Sequence, residues 1–478
     1  MLAAACGHDP VQPPDLLLIS VDTMRADFLS TYGHPRPTAD ALDRLAGQGA
    51  VFLNHHSTSS QTAPSHASLL TGLHLREHGL LKNGLSLSPE PAFLPEILEQ
   101  AGWTTAASMA LGFFDASEGF QRGFESFVAA GPDNVGTRGS TEYVRIAADV
   151  VDSALEQLAA VGPGEPFAQL VHLFDPHTPY AYPPRLGELD EQAGAGLLAE
   201  RMEPWERFDA NERLELHLLY EAEVDYTFHE LDRLIGAWDA ARGADNAVIA
   251  VTADHGEGLG EHDYLSHDLF LYEEQLHIPL VLRAPFAISP GTRIEAPTSA
   301  IDVSATLLDL LGVRSAELPG RSLAPLWRGE PWRAHPVVAQ RPLHDDADLD
   351  GNAERRSTLE WHAGDPAAAR GELVSLTDWP HKLIWSSDGE PALYDLAADP
   401  AERHELAAQR PELVARLGAE LDEWFAQRRP APEGLELTVP PSVLKQLEIL
   451  GYAGGDSDSD EGSGEPQQPQ QPEPPPGE

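Results

Sequence analysis

The sequence is poor in cysteine and lysine and has no long apolar run. Cys6 is its only cysteine, which excludes an internal disulfide and a zinc cluster built from cysteine ligands. Only three lysines occur, and the formal net charge is -46. This excess of negative charge would repel nucleic acids and anionic membranes, so neither is expected as a partner. No stretch has the length and hydrophobicity of a transmembrane helix.

The shortage of lysine also bears on substrate binding. Lys82, Lys382 and Lys445 are the only lysines in 478 residues. An anionic substrate would need a local positive centre to overcome the negative field of the chain. Metal ions are the natural source of that charge, and this expectation precedes any motif.

The first seven residues, MLAAACG, resemble the end of a bacterial lipoprotein signal, in which small residues precede a cysteine that becomes lipidated. No charged or long apolar segment precedes Cys6. If the true start lies upstream, the resemblance predicts a periplasmic or extracellular protein that meets a membrane only through a lipid anchor on Cys6. If the N-terminus is complete as given, the protein is expected in the cytoplasm.

Short apolar runs predict buried strands at residues 16–21, 166–173 and 247–252, each followed by a polar cluster that contains Asp or His. Segments with helical character separate these strands, at residues 38–48, 65–71, 212–235 and 300–308. Strands with polar clusters at their carboxyl ends, separated by helices, are typical of an open α/β sheet with its site along one edge.

Composition divides the chain further. A leader at residues 1–14 precedes a large domain at residues 15–331. Charge and chain breakers at residues 332–371 indicate a crossing into a smaller C-terminal subdomain, residues 332–430.

Two strands, at residues 373–376 and 382–385, and a helix at residues 411–427 are predicted within this subdomain. An extension at residues 431–453 follows. The tail at residues 454–478 has almost no apolar side chains and is expected to be disordered.

Thr62 lies in the segment QTAPSHASLLTG, residues 61–72, just before a proline-fixed turn that opens a predicted helix. Its hydroxyl would therefore lie at the positive end of the helix. Taken alone, the segment is better explained by Thr62 as a helix cap or turn residue.

Asp22 ends the first strand, and Asp254 and His255 follow the strand at residues 247–252. Taken alone, Asp22 is explained as a turn carboxylate at a strand end, and Asp254 with His255 as a capped loop. Together with the Thr62 oxygen they form a ligand set suited to Zn²⁺, Mg²⁺, Mn²⁺ or Ca²⁺. A bound cation would lower the pKa of the Thr62 hydroxyl and convert it into a nucleophile. We therefore predict one metal site on these four residues.

Six segments occur in the order found in the sulfatase-type branch of the alkaline phosphatase superfamily, which they resemble. They begin at Val21 (VDTMRAD), at Thr62 (TAPSHASLLTG), at Phe174 (FDPHTPY), at Ala253 (ADHGE), at Tyr272 (YEEQLHIPL) and at Leu393 (LYDLAADP). The resemblance spans roughly residues 15 to 425. It implies a large, mostly parallel sheet flanked by helices, with a small C-terminal sheet-and-helix subdomain, and hydrolysis of an ester bond.

The departures from that branch bear on the chemistry. In sulfatases proper the position of Thr62 is a cysteine or serine that is oxidised to formylglycine, and the arginine that follows is His66 here. The paired acidic residues of the first block become Asp22 and Thr23. The segment that begins at Thr62 is more similar to that of nucleotide pyrophosphatase/phosphodiesterases and phosphonate hydrolases, which use threonine directly.

The resemblance implies further site residues. Asn83 matches an asparagine that binds a phosphoryl oxygen in those relatives, although a turn residue explains it equally well. Arg25 and Lys82 are candidates to steady the anion, and surface charge is the simpler explanation for Lys82.

His177 and His267 are favoured as residues that bind the substrate or protonate the leaving group, rather than as metal ligands. Together with Thr62 they form the predicted catalytic set. A second metal site that includes Asp175, with these histidines, stays open because the Asp-to-His spacing differs from that of two-zinc phosphodiesterases.

The resemblance and the departures together favour a metal-dependent hydrolase that cleaves a phosphate or phosphonate ester through a covalent intermediate on Thr62. The expected substrate is a small anionic ester or an ester linked to a glycan or lipid. Three alternatives stay open: a sulfuric ester hydrolase, a transferase of phospho-alcohol groups, and a surface binding protein without turnover.

Overall fold

The computed structural model describes residues 12–114, 119–131, 144–178, 180, 208–314, 318–343, 371–428 and 430. Cys6, the extension at residues 431–453 and the tail at residues 454–478 lie outside these residues. Within the described part of the chain, no helix combines the length and the hydrophobicity needed to cross a bilayer.

A central sheet of eight strands organises the protein, in the order β11-β2-β10-β7-β1-β6-β4-β5. In this sheet β10 alone runs opposite to its neighbours. Its strands are β1 (Asp15–Val21), β2 (Ala50–Phe52), β4 (Thr104–Met109), β5 (Ser126–Val128), β6 (Phe167–Leu173), β7 (Ala247–Ala253), β10 (Leu280–Arg283) and β11 (Thr292–Ile294). Two short pairs complete the first part of the fold, β3 (His55–His56) with β12 (Thr298–Ser299), and β8 (Gly258–Leu259) with β9 (Leu265–Ser266).

The three predicted strands form the centre of this sheet. β1 lies between β6 and β7 and is parallel to both, and all three strands are buried over their whole length. Burial on both faces explains why their sequences are continuous apolar runs rather than alternating patterns. Because the strands are parallel and in register, the residues that follow Val21, Leu173 and Ala253 meet at one edge of the sheet.

Helices cover the sheet. α5 packs on β4 and β6, α4 packs on β4, and α8 packs on β7, while α6 packs against α1 and α5. The α-helices among the described residues are α1 (Asp40–Gln48), α2 (Thr62–Thr71), α3 (Leu75–His78), α4 (Leu94–Gln100), α5 (Ala147–Ala160), α6 (Ala210–Arg242), α7 (Glu273–Leu276), α8 (Val303–Leu311), α9 (Ala324–Arg328) and α10 (Pro411–Gln427).

A second sheet of four antiparallel strands follows the large one. It consists of β13 (Val337–Arg341), β14 (Leu373–Asp378), β15 (His381–Ser386) and β16 (Ala392–Asp395), and α10 packs on β14 and β15. The strand β13 lies within the predicted crossing at residues 332–371 and pairs with β14 in this sheet. The α/β class, the mostly parallel sheet and the small C-terminal sheet with its helix are confirmed.

Candidate metal and nucleophile site

The hydroxyl of Thr62 lies between two of the predicted metal ligands. Its Oγ1 atom is 3.4 Å from Oδ2 of Asp22 and 3.3 Å from Nε2 of His255. Asp22, Asp254 and His255 each offer a ligand atom within 4.8 Å of one another, and all are buried. The structure thus brings together the residues of the predicted metal site.

Helix α2 carries Thr62 as its first residue, three positions earlier than the predicted helix start at residue 65. All ten residues of the helix are buried, so a charge at its N-terminus is shielded from water. Gly72 ends the helix in the left-handed conformation with φ of 68°, which glycine adopts without strain.

Each aspartate of the cluster has one oxygen held by the protein and one without a partner. Oδ1 of Asp254 accepts hydrogen bonds from the backbone N–H of Thr23 at 3.2 Å and of His255 at 2.7 Å. Oδ2 of Asp22 lies 3.2 Å from Nε2 of His172. In contrast, Oδ1 of Asp22 and Oδ2 of Asp254 are buried and have no hydrogen-bond partner. Two bare carboxylate oxygens in a buried cluster fit a bound cation.

The ionisation of these carboxylates is costly without a cation. Burial raises the pKa of Asp22 to about 7, although the nearby His255 acts against this shift. Burial and the charge of Asp22 together raise the pKa of Asp254. Two such groups close together favour a ligand that supplies positive charge.

His255 presents a lone pair to Thr62. Its Nδ1 atom lies 2.9 Å from the carbonyl oxygen of Gly256, and this contact assigns the ring proton to Nδ1. The Nε2 atom near Thr62 is therefore the basic nitrogen, as a metal ligand or hydrogen-bond acceptor requires.

The loop that carries Asp254 and His255 is held tightly. The N–H of Gly256 donates to the carbonyl of Gln275 at 2.8 Å. A Cβ atom at Gly256 would lie 2.1 Å from the carbonyl oxygen of Glu274, so only glycine permits this approach. Beside Asp22, Thr23 adopts a positive φ of 50°, which concentrates backbone strain at the same site.

Asn83 lies next to Thr62 along the start of α2. The side-chain Oδ1 atom of Asn83 accepts a 2.8 Å hydrogen bond from the backbone N–H of Ala63. The backbone N–H of Asn83 donates to Oε1 of Gln61. Its Nδ2 atom is buried without a partner. Lys82, the preceding residue, has an exposed side chain.

Arg25 is buried and already engaged. Its guanidinium forms ion pairs with Asp27 at 2.8 Å and Glu261 at 2.9 Å, and donates to the carbonyl of Glu257 at 3.0 Å. The guanidinium also lies over the ring of Phe28. These contacts suit a residue that supports the Asp254 loop better than one that binds substrate.

Asp175 is not brought to the metal cluster. Both of its oxygens accept hydrogen bonds from the N–H of Ala147, at 3.1 and 2.8 Å, where α5 begins. Burial raises its pKa to about 7. A helix cap accounts for this carboxylate, and a metal site that includes it stays a prediction.

The rings of His177, His267 and His255 lie side by side. The ring centroids of His177 and His267 are 4.9 Å apart, and those of His255 and His267 are 4.5 Å apart. Nδ1 of His267 is 3.1 Å from Oε1 of Glu257, so a carboxylate orients this imidazole. Burial lowers the pKa of His177 to about 3, which leaves it neutral at pH 7.

Sequence analysis gave no role to Glu257, His66 or His172. His66 follows Thr62 by one helical turn and its Nδ1 lies 2.8 Å from the Thr62 carbonyl. His172 is a polar residue inside the buried strand β6. A histidine in a buried and mostly apolar strand, next to the strand that ends at Asp22, is the sequence signal that indicates a role for His172.

Known proteins share this architecture. A curated choline-sulfatase from Rhizobium meliloti is 25% identical over 82% of this chain and 82% of its own length. A Δ4,5-hexuronate-2-O-sulfatase from Bacteroides thetaiotaomicron is 23% identical over 92% and 94% of the two chains.

Among solved structures, a phosphonate monoester hydrolase of Agrobacterium radiobacter superposes with a TM-score of 0.70 at 22% identity, covering 87% of this chain and 96% of its own. At this identity the similarity shows a shared fold. The model of the family described as Sulfatase matches residues 14–313. This match covers most of the chain and contains Asp22, Thr62, Asp254 and His255, and the chain therefore belongs to the sulfatase family of ester hydrolases.

Proposed function

We propose that this chain hydrolyses a phosphate or phosphonate ester through a covalent intermediate on Thr62. One observation carries the proposal: Oγ1 of Thr62, at the buried N-terminus of α2, lies within 3.4 Å of both Asp22 Oδ2 and His255 Nε2. The hydroxyl therefore faces the candidate metal ligands.

Asp22, Asp254, His255 and Thr62 would hold a divalent cation. When bound, that ion supplies positive charge that lowers the pKa of the Thr62 hydroxyl and attracts the anionic ester. The bare oxygens Oδ1 of Asp22 and Oδ2 of Asp254 are the ligand atoms that the protein leaves available.

The reaction has two displacement steps. In the first, Oγ1 of Thr62 forms a bond to phosphorus while the bond from phosphorus to the alcohol oxygen breaks. The hydroxyl proton of Thr62 leaves through the contact with Asp22, and the departing alkoxide takes a proton from an imidazole. In the second step, water attacks phosphorus and gives a proton to that imidazole, while the bond from phosphorus to Oγ1 of Thr62 breaks and the Thr62 oxygen takes back its proton from Asp22.

The leaving group is protonated by His267 in this proposal. His267 is paired with Glu257 at 3.1 Å, and a carboxylate partner stabilises an imidazolium. His177, whose burial lowers its pKa to about 3, is the weaker source of a proton at neutral pH. It would bind or position the ester instead.

The transferred group would be bound by Asn83. Its Nδ2 is a buried donor without a partner, and its Oδ1 is fixed by the first N–H group of α2 that follows Thr62. A donor held in this way can stabilise charge on an equatorial oxygen without reorganisation.

Sulfate ester hydrolysis is the second candidate, because curated relatives are named as sulfatases. The phosphonate monoester hydrolase with the same fold favours the first. The two differ at the nucleophile, since threonine at position 62 is not the cysteine or serine that becomes formylglycine.

A four-substrate panel tests the proposal: an aryl sulfate, a phosphate monoester, a phosphate diester and a phosphonate monoester, with purified protein and measured metal content. We expect turnover of a phosphorus ester and a mass increase on the peptide that carries Thr62 after acid quenching. Activity on the sulfate alone would overturn the choice of substrate. Transfer of the group to water indicates a hydrolase, and transfer to an added alcohol indicates a transferase. Binding of the ester without turnover would indicate a binding protein.

A further inference from the structure

A second group of metal-ligating side chains lies beside the first. His66, His172 and Asp254 each offer a ligand atom within 4.8 Å of one another, and all three residues are buried. Asp254 also belongs to the cluster with Asp22 and His255. Two potential coordination sites therefore share one carboxylate.

The unpartnered oxygen of Asp254 lies between imidazoles from both groups. Oδ2 of Asp254 is 3.5 Å from Nε2 of His255 and 3.8 Å from Nδ1 of His66. This oxygen has no hydrogen-bond partner. A carboxylate oxygen flanked in this way is suited to bridge two cations, as carboxylates do in two-metal sites.

The imidazoles themselves are incompletely satisfied. His66 makes one contact from Nδ1 to the Thr62 carbonyl, and His172 makes one from Nε2 to Asp22 at 3.2 Å. The other nitrogen of each ring, Nε2 of His66 and Nδ1 of His172, is buried without a partner. A core histidine that serves only packing normally satisfies both nitrogens, because an unpaired buried polar atom costs about 1–3 kcal/mol.

We propose that His66, His172 and Asp254 form a second divalent cation site that shares Asp254 with the site of Asp22 and His255. Two imidazoles and one carboxylate favour Zn²⁺, Mn²⁺, Fe²⁺ or Co²⁺ over Ca²⁺ and Mg²⁺, which prefer oxygen ligands throughout. This site differs from the one predicted around Asp175, whose oxygens are taken by the N–H of Ala147.

A second cation would offset negative charge in the buried cluster. Asp22 and Asp254 are two fully buried carboxylates with ligand atoms within 4.8 Å of each other, and an anionic ester adds further negative charge. A second cation beside Asp254 would offset that addition. It would also lie next to the carbonyl of Thr62, which His66 contacts.

Metal stoichiometry tests this site without reference to turnover. Metal-free protein is titrated with Mn²⁺, bound manganese is measured by mass spectrometry, and the electron paramagnetic resonance spectrum is recorded. The shared carboxylate predicts about two ions per chain and the multiline spectrum of a spin-coupled pair. His172→Gln and His66→Gln should each reduce binding to about one ion with the six-line spectrum of isolated Mn²⁺.

Two controls locate the second ion. His277→Gln changes a histidine outside both clusters, whose Nε2 contacts the carbonyl of Leu53, and should retain the coupled pair. His267→Gln should also retain the coupled pair. Loss of the pair in this variant would indicate that the second ion lies near Asp175 and would overturn the inference. Anomalous scattering from Mn²⁺-loaded crystals of the unsubstituted protein gives the same answer if a variant does not fold.

The outcomes also separate this inference from the proposed function, with which it shares Asp254. One isolated ion held by Asp22, Asp254 and His255 would overturn the second site and leave the proposed function standing. Two ions that persist in both His66→Gln and His172→Gln would overturn the second site as well. A protein that binds no divalent cation would overturn both.

Discussion

Oε1 of Glu257 lies 3.1 Å from Nδ1 of His267, and both side chains are buried. A proton must lie between these two atoms, so the carboxylate fixes which nitrogen of His267 faces the site. Burial raises the pKa of Glu257 well above its usual range. The pair has the arrangement of an acid and the group that orients it.

Glu257→Gln should therefore slow the departure of poor leaving groups. We expect a decrease in kcat of roughly 10- to 100-fold for an alkyl ester and a smaller decrease for a nitrophenyl ester, whose alcohol needs no proton. Rates for a series of esters with different leaving groups measure this. Glu261→Gln is the matched control, since Glu261 pairs with Arg25 at 2.9 Å and not with His267. Equal losses for both esters would contradict the assignment of His267 as the acid.

Replacement of Thr62 separates nucleophile from binding group. Thr62→Ala should reduce kcat by at least roughly 100-fold because the attacking oxygen is absent. Thr62→Ser keeps that oxygen and should retain measurable turnover and a covalent adduct, detected by mass spectrometry after acid quenching. A Thr62→Ala variant with the parental rate would show that another group attacks the ester.

Removal of the metal should lower the stability of the protein. A ligand present at 100 times its Kd stabilises the folded state by about 2.7 kcal/mol, so chelation should lower Tm by several degrees. Differential scanning calorimetry before and after addition of Mn²⁺ or Zn²⁺ measures this change. Asp254→Asn should be insensitive to both treatments, whereas Asp388→Asn, in the turn between β15 and β16, should respond like the parent.

Lys382 should matter for stability although it lies outside the site. Its buried Nζ atom pairs with Glu273 at 2.8 Å and with Glu402 at 2.9 Å. Lys382→Met leaves the buried carboxylate of Glu402 and the half-buried carboxylate of Glu273 without this cation, and loss of one partner of a buried ion pair typically costs about 3–5 kcal/mol. Urea unfolding gives this difference, and Lys82→Met at an exposed position is the control. Equal stabilities of the two variants would rule out a large contribution from the buried ion pairs.

His262 should make stability depend on pH. Burial lowers its pKa, but the hydrogen bond and charge of Glu274 outweigh burial and raise the pKa to about 9. In the unfolded chain the pKa is about 6.5, so the contribution of the protonated form is complete below that pH and is lost as pH rises through about 9. The shift corresponds to about 3 kcal/mol.

The free energy of unfolding, measured in urea at several pH values between 6 and 10, tests this. The difference between the parent and His262→Gln should shrink as pH rises across that range. A difference that stays constant with pH would mean that His262 is neutral throughout.

The centre of the sheet was predictable because its strands are buried on both faces. Apolar runs identified β1, β6 and β7, and the polar residues at their ends identified Asp22 and Asp254. The strands β4 and β5 were not predicted, since TTAASM and SFV have small or few apolar residues. Their burial comes from packing against β6 and the helices, which no local pattern records.

The site residues that could be predicted from the sequence are those that follow the ends of apolar strands, where ligands of a metal are expected. His66 and His172 lie within a helix and a strand, where a histidine is ordinarily part of the core. Their ring centroids lie 4.9 Å apart only because the tertiary fold brings α2 and β6 together. The engagement of Arg25 by Asp27 and Glu261 was equally invisible, because Glu261 lies more than two hundred residues away along the chain.

The small sheet is attached to the catalytic edge by more than its linker. The N–H of Gln340 in β13 donates to the carbonyl of Thr58, four residues before Thr62, at 2.8 Å. Lys382 in β15 neutralises Glu273, in the same short helix whose backbone holds the loop of Asp254. A shortened chain that ends before β13 would thus keep Asp22, Thr62, Asp254 and His255 and yet lose the framework that aligns them. Attempts to trim this enzyme to a minimal core should stop short of the C-terminal sheet.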